Sequence, residues 1–143
     1  MLIELEKINQ NLKIEAKKNG STKEQIKKMQ GFFSAIDVPE EYLIFISKVS
    51  EVEILVKNET YIRIWGAEGC IEMNEAYNIQ KYMPGALAIG DDEGGQAIFY
   101  AKGRNDYGLY KVGFGNLDID DAIFISPSLY ELLINGVGID ELI

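Results

Sequence analysis

The sequence predicts an α+β domain: a mostly antiparallel sheet of about five or six strands, with N-terminal, inserted and C-terminal helices packed on it. Apolar residues recur every three or four positions through most of residues 1–50, whereas from Glu51 onward several segments alternate between apolar and polar side chains. Short gaps of hairpin length, rich in glycine and acidic residues, separate the later segments. No alternating strand–helix–strand units occur, which argues against a parallel sheet.

Two helices are predicted before residue 37. The first spans residues 2–19, and Gly20 suits its left-handed cap. The second begins at Ser21-Thr22-Lys23-Glu24, which matches a capping box. The apolar positions with helical spacing are Leu2, Leu5, Ile8 and Leu12 in the first helix, and Ile26, Met29, Phe32 and Phe33 in the second.

A third helix is predicted to begin within Asp37-Val38-Pro39-Glu40-Glu41. Proline fits the first turn of a helix, and two glutamates near the N-terminus complement the helix dipole. The predicted buried side of this helix consists of Tyr42, Phe45, Ile46 and Val49.

The first hairpin is predicted over residues 51–65. Valine and isoleucine alternate with other residues up to Val56, and Lys57-Asn58-Glu59-Thr60 then forms a polar turn. Residues 61–65 return as the second strand of the pair.

The remaining elements are one helix, three or four strands and a closing helix. A helical pattern covers residues 71–82 and stops at Pro84-Gly85. Ser126-Pro127 opens the last helix, which ends at Asn135-Gly136. The strands between them are predicted over residues 86–89, 96–100 and 109–114, and residues 119–125 form either another strand or an extended arm.

The 143 residues are predicted to form a single domain, residues 1–143. Hydrophobic residues make up 47% and charged residues 26% of the chain, which excludes a disordered or fibrous protein. The longest apolar runs, Tyr42 to Ile46 and Ala122 to Ile125, are much too short to span a membrane. The start of the chain lacks the basic and apolar regions of a signal peptide, so we expect a cytoplasmic protein with no membrane partner.

The negative charge lies in the second part of the chain. Residues 1–60 carry 10 acidic and 9 basic side chains, whereas residues 61–143 carry 13 and 5. Lysines and glutamates are mixed in the first thirty residues, as on a solvated helix face. With a net charge of −9, the domain repels phosphate and attracts a basic partner, so no nucleic-acid binding is predicted.

The residue composition limits the catalytic chemistry that this chain could perform. The chain has no histidine, which removes the usual general base near neutral pH and the nucleophiles that histidine activates. Cys70 is the single cysteine and has no basic neighbour in sequence, so we interpret it as a small buried group. We predict a protein that is not an enzyme and that has no cofactor and no metal.

Five segments follow one another in a distinctive order. They are Val38-Pro39-Glu40-Glu41-Tyr42 with Phe45 and Ile46, Ile62-Arg63-Ile64-Trp65-Gly66, residues 83–100 from Met83-Pro84-Gly85 to Ile98-Phe99-Tyr100, Gly108-Leu109-Tyr110-Lys111-Val112, and Ser128-Leu129-Tyr130-Glu131-Leu132-Leu133. This order resembles the SUKH superfamily, of the Smi/Knr type. The resemblance covers residues 21–135 and makes the helix of residues 2–19 an addition. Lys48-Val49-Ser50 replaces the family's Asn-Gly, so the turn into the first strand is expected to differ.

The resemblance implies a protein-binding function. It implies an immunity protein that binds and neutralises a cognate bacterial toxin, often a nuclease, as bacterial members of the superfamily do. The partner would then be a basic toxin domain. The alternative is an intracellular regulatory or scaffold protein of the fungal cell-wall-regulator type, which would bind its partner through hydrophobic or basic N-terminal helices. A carboxylate-dependent enzyme, the third possibility, requires two acids facing each other in a pocket.

The candidate partner-binding residues are acidic side chains in predicted turns, together with one tryptophan. The Asp91-Asp92-Glu93 loop is interpreted first as a solvated turn, second as a partner contact and last as a cation site. Trp65 is interpreted first as core and second as an interface residue. The acids do not have the spacing of an EF-hand calcium loop. The full candidate set is Trp65, Asp91, Asp92, Glu93, Asp106, Asp118, Asp120 and Asp121.

Overall fold

A computed structural model describes residues 2–104 and 106–143. One antiparallel sheet of seven strands, which follow one another in chain order, confirms the α+β class and exceeds the predicted strand number by one or two. The strands are β1 (Leu12–Asn19), β2 (Val49–Val56), β3 (Thr60–Ile64), β4 (Leu87–Asp91), β5 (Gln96–Lys102), β6 (Tyr107–Gly113) and β7 (Ile123–Ser126). The α-helices are α1 (Lys23–Phe32), α2 (Glu40–Lys48), α3 (Ala67–Ala76), α4 (Ile79–Tyr82) and α5 (Leu129–Leu133), and short 3₁₀-helices span Leu5–Lys7, Ile119–Asp121 and Ile139–Leu142.

The unpredicted strand is β1, and the prediction of a helix over residues 2–19 is wrong. Asn9 interrupts the apolar repeat, because its Oδ1 accepts a hydrogen bond from the Asn11 backbone N–H at 2.9 Å and forms a turn. Beyond this turn, Leu12 is buried and Ile14 half-buried, with exposed residues between and after them, and the segment pairs with β2. The N-terminal segment is therefore part of the sheet and not an addition to the domain.

The main core lies on one face of the sheet, under α1, α2 and α5. The side predicted to be buried in the third helix is confirmed, although Val49 belongs to β2 and Pro39 is the N-cap of α2, outside its first turn. The largest fully buried side chains of this core include Tyr42, Phe45, Met29, Ile46, Ile54, Ile62 and Tyr100.

A second, smaller core lies on the opposite face, over β4–β7. Trp65, Phe99 and Tyr110 are its aromatic members, and α4 and the chain between β6 and β7 cover them. Over β1–β3 the same face is open, where Tyr61 is 37% exposed. The second face is therefore covered over β4–β7 and open over β1–β3.

Helix starts differ from the predictions in α1, α3 and α5. The last helix has Ser128 as its N-cap and does not open at Ser126-Pro127, because Ser126 is the last residue of β7. The capping box of α1 is formed by Thr22 and Gln25, with hydrogen bonds of 3.1 and 2.8 Å, and not by Ser21. Ser21 Oγ instead accepts a hydrogen bond from the Ala67 backbone N–H at 2.9 Å, at the start of α3. The predicted helix over residues 71–82 begins earlier, at Ala67, and is divided at Asn78, whose φ is +52°.

A buried asparagine continues the sheet where β3 leaves it. The pairing of β3 with β4 ends at Ile64 and Gly90, and one more backbone hydrogen bond joins Trp65 to Ile89. At Ala88 the partner is the side chain of Asn74: its Oδ1 accepts from the Ala88 N–H at 3.0 Å, and its Nδ2 donates to the Ala88 carbonyl at 2.8 Å. The Asn74 amide therefore replaces a strand residue.

No helix in the described ranges is long and apolar enough to cross a bilayer.

Candidate partner-binding surface

Two acid-rich connections lie at the same end of the sheet. The strands run in an up-and-down meander, so the β4–β5 turn and the β6–β7 connection are at one end, and a hydrogen bond of 2.9 Å from the Phe114 N–H to the Gly95 carbonyl joins them directly. We call the six acids of these connections the acidic end. They are Asp91, Asp92, Glu93, Asp118, Asp120 and Asp121.

Asp106 does not belong to this group. It lies in the β5–β6 turn, which the meander places at the opposite end of the sheet. Successive turns of a meander alternate between the two ends, so this separation could have been predicted by counting hairpins in the sequence. The inclusion of Asp106 in one surface with the other acids is corrected accordingly.

Trp65 is part of the core and not a contact residue. Its side chain is 2% exposed within the second core, which agrees with the first of the two interpretations and contradicts its inclusion among the partner-binding residues. The indole Nε1 donates a hydrogen bond of 2.9 Å to Asp91 Oδ2. A strand-end tryptophan whose N–H reaches the nearest turn is buried because its large apolar surface outweighs its single polar group.

The carboxylates of the β4–β5 turn also stabilise the turn itself. Asp91 Oδ1 accepts from the Glu93 N–H at 2.8 Å, and Asp92 Oδ1 accepts from the N–H groups of Gly94 and Gln96 at 2.8 and 2.9 Å. Asp92 and Asp91 therefore combine an internal role, typical of aspartate in tight turns, with their charge. The geometry of the loop agrees with a solvated turn and also with a partner contact.

Glu93 is the acid of this turn with a basic neighbour. Its φ is +56°, and its Oε1 lies 3.6 Å from Arg63 Nη2, which is also 3.4 Å from Glu53 Oε2. Burial raises the pKa of Glu93 most, the hydrogen bond with Glu53 raises it further, and the Arg63 guanidinium opposes both. One arginine thus offsets part of the negative charge of two glutamates.

The acids of the β6–β7 connection are exposed. Asp118 caps the 3₁₀-helix, since its Oδ1 accepts from the Asp120 N–H at 2.9 Å, and Asp121 Oδ2 accepts from Asn116 Nδ2 at 3.0 Å. Within residues 2–104 and 106–143, these three carboxylates form no ion pair, and the carboxylate of Asp92 forms none either. The acidic end therefore carries four carboxylates without an ion-pair partner among the described residues, of which Asp118, Asp120 and Asp121 are exposed and Asp92 is half-buried.

A polar groove that the sequence did not indicate lies where β1 ends and β2 begins, beside the first turns of α1 and α3. It has a volume of about 600 Å³ and is bounded by the starts of α1, β2 and α3. Glu51, with φ of +46°, lines it, and Glu51 Oε2 accepts a hydrogen bond of 2.6 Å from the Gly66 N–H at the start of α3. In the sequence Glu51 reads as an ordinary strand residue, so no local signal announced this contact.

No site for the chemistry of a metal or a reactive thiol is formed by the described part of the chain. No three Cys, Asp or Glu side chains within it are arranged to hold a metal ion. Cys70 is fully buried, and burial raises its pKa to about 12, which agrees with its interpretation as a small buried group.

Comparisons with known proteins add no relative. A scan against protein-family models finds no family that matches the chain, and a search of the curated proteins finds no similar sequence. The resemblance to the SUKH superfamily therefore rests on the five segments quoted above.

Proposed function

We propose that the protein is a non-catalytic, protein-binding domain of the SUKH kind, and that it is an immunity protein of the cytoplasm that binds and neutralises a basic toxin domain. The observation that carries this proposal is the acidic end, where two turns far apart in sequence combine their carboxylates. A concentrated negative potential accelerates encounter with a basic protein and competes with any nucleic acid that this protein binds. Inhibition then follows from occlusion of the toxin's cationic surface.

The test compares two variants with the same change in net charge. The first neutralises the acidic end with Asp92→Asn, Glu93→Gln and Asp120→Asn, because an amide keeps one acceptor oxygen for the turn N–H groups while it removes the charge. The control neutralises exposed acids elsewhere with Glu24→Gln, Glu75→Gln and Asp106→Asn. Circular dichroism and urea unfolding establish that both variants fold as the wild type does.

Tagged wild type and both variants are then used to capture proteins from the source culture at low and at moderate salt, and captured proteins are identified by mass spectrometry. We expect a basic toxin domain that the wild type and the control retain at low salt. The acidic-end variant is expected to associate with it at least about tenfold more slowly, with a smaller salt dependence. Equal association rates for the two variants, or a captured partner whose activity the protein leaves unchanged, would contradict the proposal.

A further inference from the structure

A mostly apolar groove lies away from the acidic end. It is formed by the last residue of α1 with the residues that follow it, and by the chain between α4 and β4. Its volume is about 340 Å³, and its apolar walls include Phe32, Ala35, Ile36 and Pro84. A concavity of this size accommodates one or two side chains of a peptide.

Phe32 exposes its ring at this groove. Phe32 is 45% exposed, whereas the adjacent Phe33 is 3% exposed and meets it edge-on, with ring centroids 4.9 Å apart. On the opposite wall, a side chain at Gly85 would have no heavy atom within 4 Å, so this wall is also open. Covering the exposed part of Phe32 would bury apolar surface that the domain itself leaves in water.

Two lysines lie on the helices next to residues that line the groove. Lys28 lies one helical turn before Phe32 on the same side of α1. Lys81 follows the groove residue Gln80, and its Nζ lies 5.6 Å from the centroid of the Tyr82 ring. Both lysines are exposed, and neither forms an ion pair with any residue in the two described ranges. Asp37, which follows the groove residue Ile36, is also exposed, so the exposed charges next to the groove are two lysines and one aspartate, a positive balance in a protein with a net charge of −9.

We propose that this groove binds an acidic, amphipathic peptide segment of a partner protein. An apolar side chain of the segment enters the groove beside Phe32, and carboxylates on either side of it pair with Lys28 and Lys81. The concave shape favours an inserted side chain over a flat lipid surface. This surface is independent of the acidic end, which attracts the opposite charge, so either proposal can fail without the other.

The probe is a set of three short, capped synthetic peptides. In the first, glutamates surround a central Leu-Phe pair; in the second, lysines replace the glutamates; in the third, serines replace the Leu-Phe pair. Each is titrated into the isotope-labelled full chain, and binding is followed by backbone amide chemical shifts. We expect the first peptide alone to shift the amides at the end of α1 and in the segment from Gln80 to Gly85, whereas any binding of the lysine peptide should affect the acidic end.

Two pairs of variants separate the apolar and the charged parts. Phe32→Ser is expected to abolish binding, while Ile123→Ser, which removes a side chain of similar exposure (49%) on β7, leaves it unchanged. Lys28→Glu with Lys81→Glu is expected to weaken the acidic peptide by about fivefold, whereas Lys17→Glu with Lys102→Glu, the same charge change elsewhere, has a smaller effect. The lysine pair keeps the test valid if Phe32→Ser fails to fold.

Three results would overturn the proposal. The first is equal binding of the acidic and the lysine peptides at this groove, as judged by the amide shifts of its residues. The second is chemical shift changes located away from the groove, or none up to the solubility of the peptide. The third is co-sedimentation with vesicles of phosphatidylcholine and phosphatidylserine in the absence of peptide binding, which would assign the surface to lipid.

Discussion

At the scale of single residues, Asn74 has a role in the sheet that its place on a helix conceals. It is fully buried, and its amide also donates to the Cys70 carbonyl at 2.7 Å and accepts from Gln80 Nε2 at 2.9 Å. Together with the two hydrogen bonds to Ala88, these contacts satisfy the amide completely. The buried backbone of β4 therefore depends on one side chain from α3.

We expect Asn74→Ala to destabilise the protein by about 3 kcal/mol, because it leaves the Ala88 N–H buried without a partner and its carbonyl with only the weak donor Cys70 Sγ, at 3.3 Å. The matched control is Asn11→Ala: Asn11 is exposed, its backbone hydrogen bonds are unaffected, and a change within about 0.5 kcal/mol is expected. Urea unfolding followed by circular dichroism measures both. Similar free energies of unfolding for the two variants would refute the proposed role of Asn74.

The roles of single residues were predictable where hydrophobic burial determines them. They were not predictable where a single hydrogen bond to a distant residue determines them. Tyr42, Phe45 and Ile46 are buried as their helical spacing indicates. The contacts of Asn74 with Ala88 and of Glu51 with Gly66 join positions 14 and 15 residues apart, across an irregular connection. No periodic pattern encodes such pairs, so the sequence gives no signal for them.

At the scale of elements, two glycines differ in whether the structure leaves space for a side chain. Gly90 lies at an irregularity in β4, and a Cβ there would be 2.1 Å from the Arg63 carbonyl oxygen of β3. Gly31 lies in the last turn of α1, where a Cβ would meet no heavy atom within 4 Å. The first glycine permits close approach of two strands, whereas the second only lowers the stability of its helix.

Gly90→Ala is therefore expected to lower the free energy of unfolding by at least about 2 kcal/mol, since β3 and β4 must move apart. Gly31→Ala is expected to raise it by about 0.5–1 kcal/mol. Chemical denaturation of both variants beside the wild type measures this difference in sign. A stable Gly90→Ala protein, or destabilisation by Gly31→Ala, would show that the packing at these positions differs from the structure described.

Most elements of the second half were predictable, whereas the N-terminal element was not. The two-residue alternation in β2 and the short turns of the later strands specify hairpins locally. In residues 2–19, four apolar positions matched a helix, but Asn9 breaks that repeat and pairing with β2 decides the conformation. Such long-range pairing overrides a weak local preference, because each strand hydrogen bond and buried side chain adds to the tertiary structure.

At the scale of the whole molecule, the predicted acidity is unevenly distributed in space. The up-and-down meander places the β4–β5 and β6–β7 connections together and Asp106 at the other end. Lys28 and Lys81 border the apolar groove, so the surface proposed for a basic partner and that proposed for an acidic peptide are separate. The composition of the second half of the sequence predicts the negative charge, whereas the strand topology determines where on the surface this charge is concentrated.

The buried phenols make the whole domain sensitive to alkali. Burial raises the pKa of Tyr42 and Tyr100 well above 10.0, with the charge of Glu41 adding to the effect at Tyr100, and burial raises the pKa of Cys70 to about 12. Between the ordinary and the raised pKa, the folded state binds more protons than the unfolded chain. Stability is therefore fully present below about pH 9 and is lost as pH rises, by up to about 1.4 kcal/mol per pH unit for each group.

We expect the free energy of unfolding to fall steeply between about pH 9.5 and pH 11.5, with a shallower slope for Tyr100→Phe, which removes one of these groups. Urea unfolding at a series of pH values gives the slopes. Tyrosinate absorbance gives an independent check, because ionisation of the buried phenols should coincide with loss of the circular dichroism signal. A stability that is independent of pH across this range would contradict the buried placement of these side chains.

The hydrogen bond from Trp65 to Asp91 makes the fluorescence of Trp65 sensitive to binding at the acidic end. Trp65 is the single tryptophan, it is 2% exposed, and its indole N–H is joined directly to a carboxylate of the acidic end. A cationic partner that binds close to the Asp91 carboxylate alters the electric field at the indole and hence its emission wavelength. Binding at the acidic end can therefore be followed by intrinsic fluorescence without any attached dye, while a peptide in the apolar groove should leave that emission unchanged.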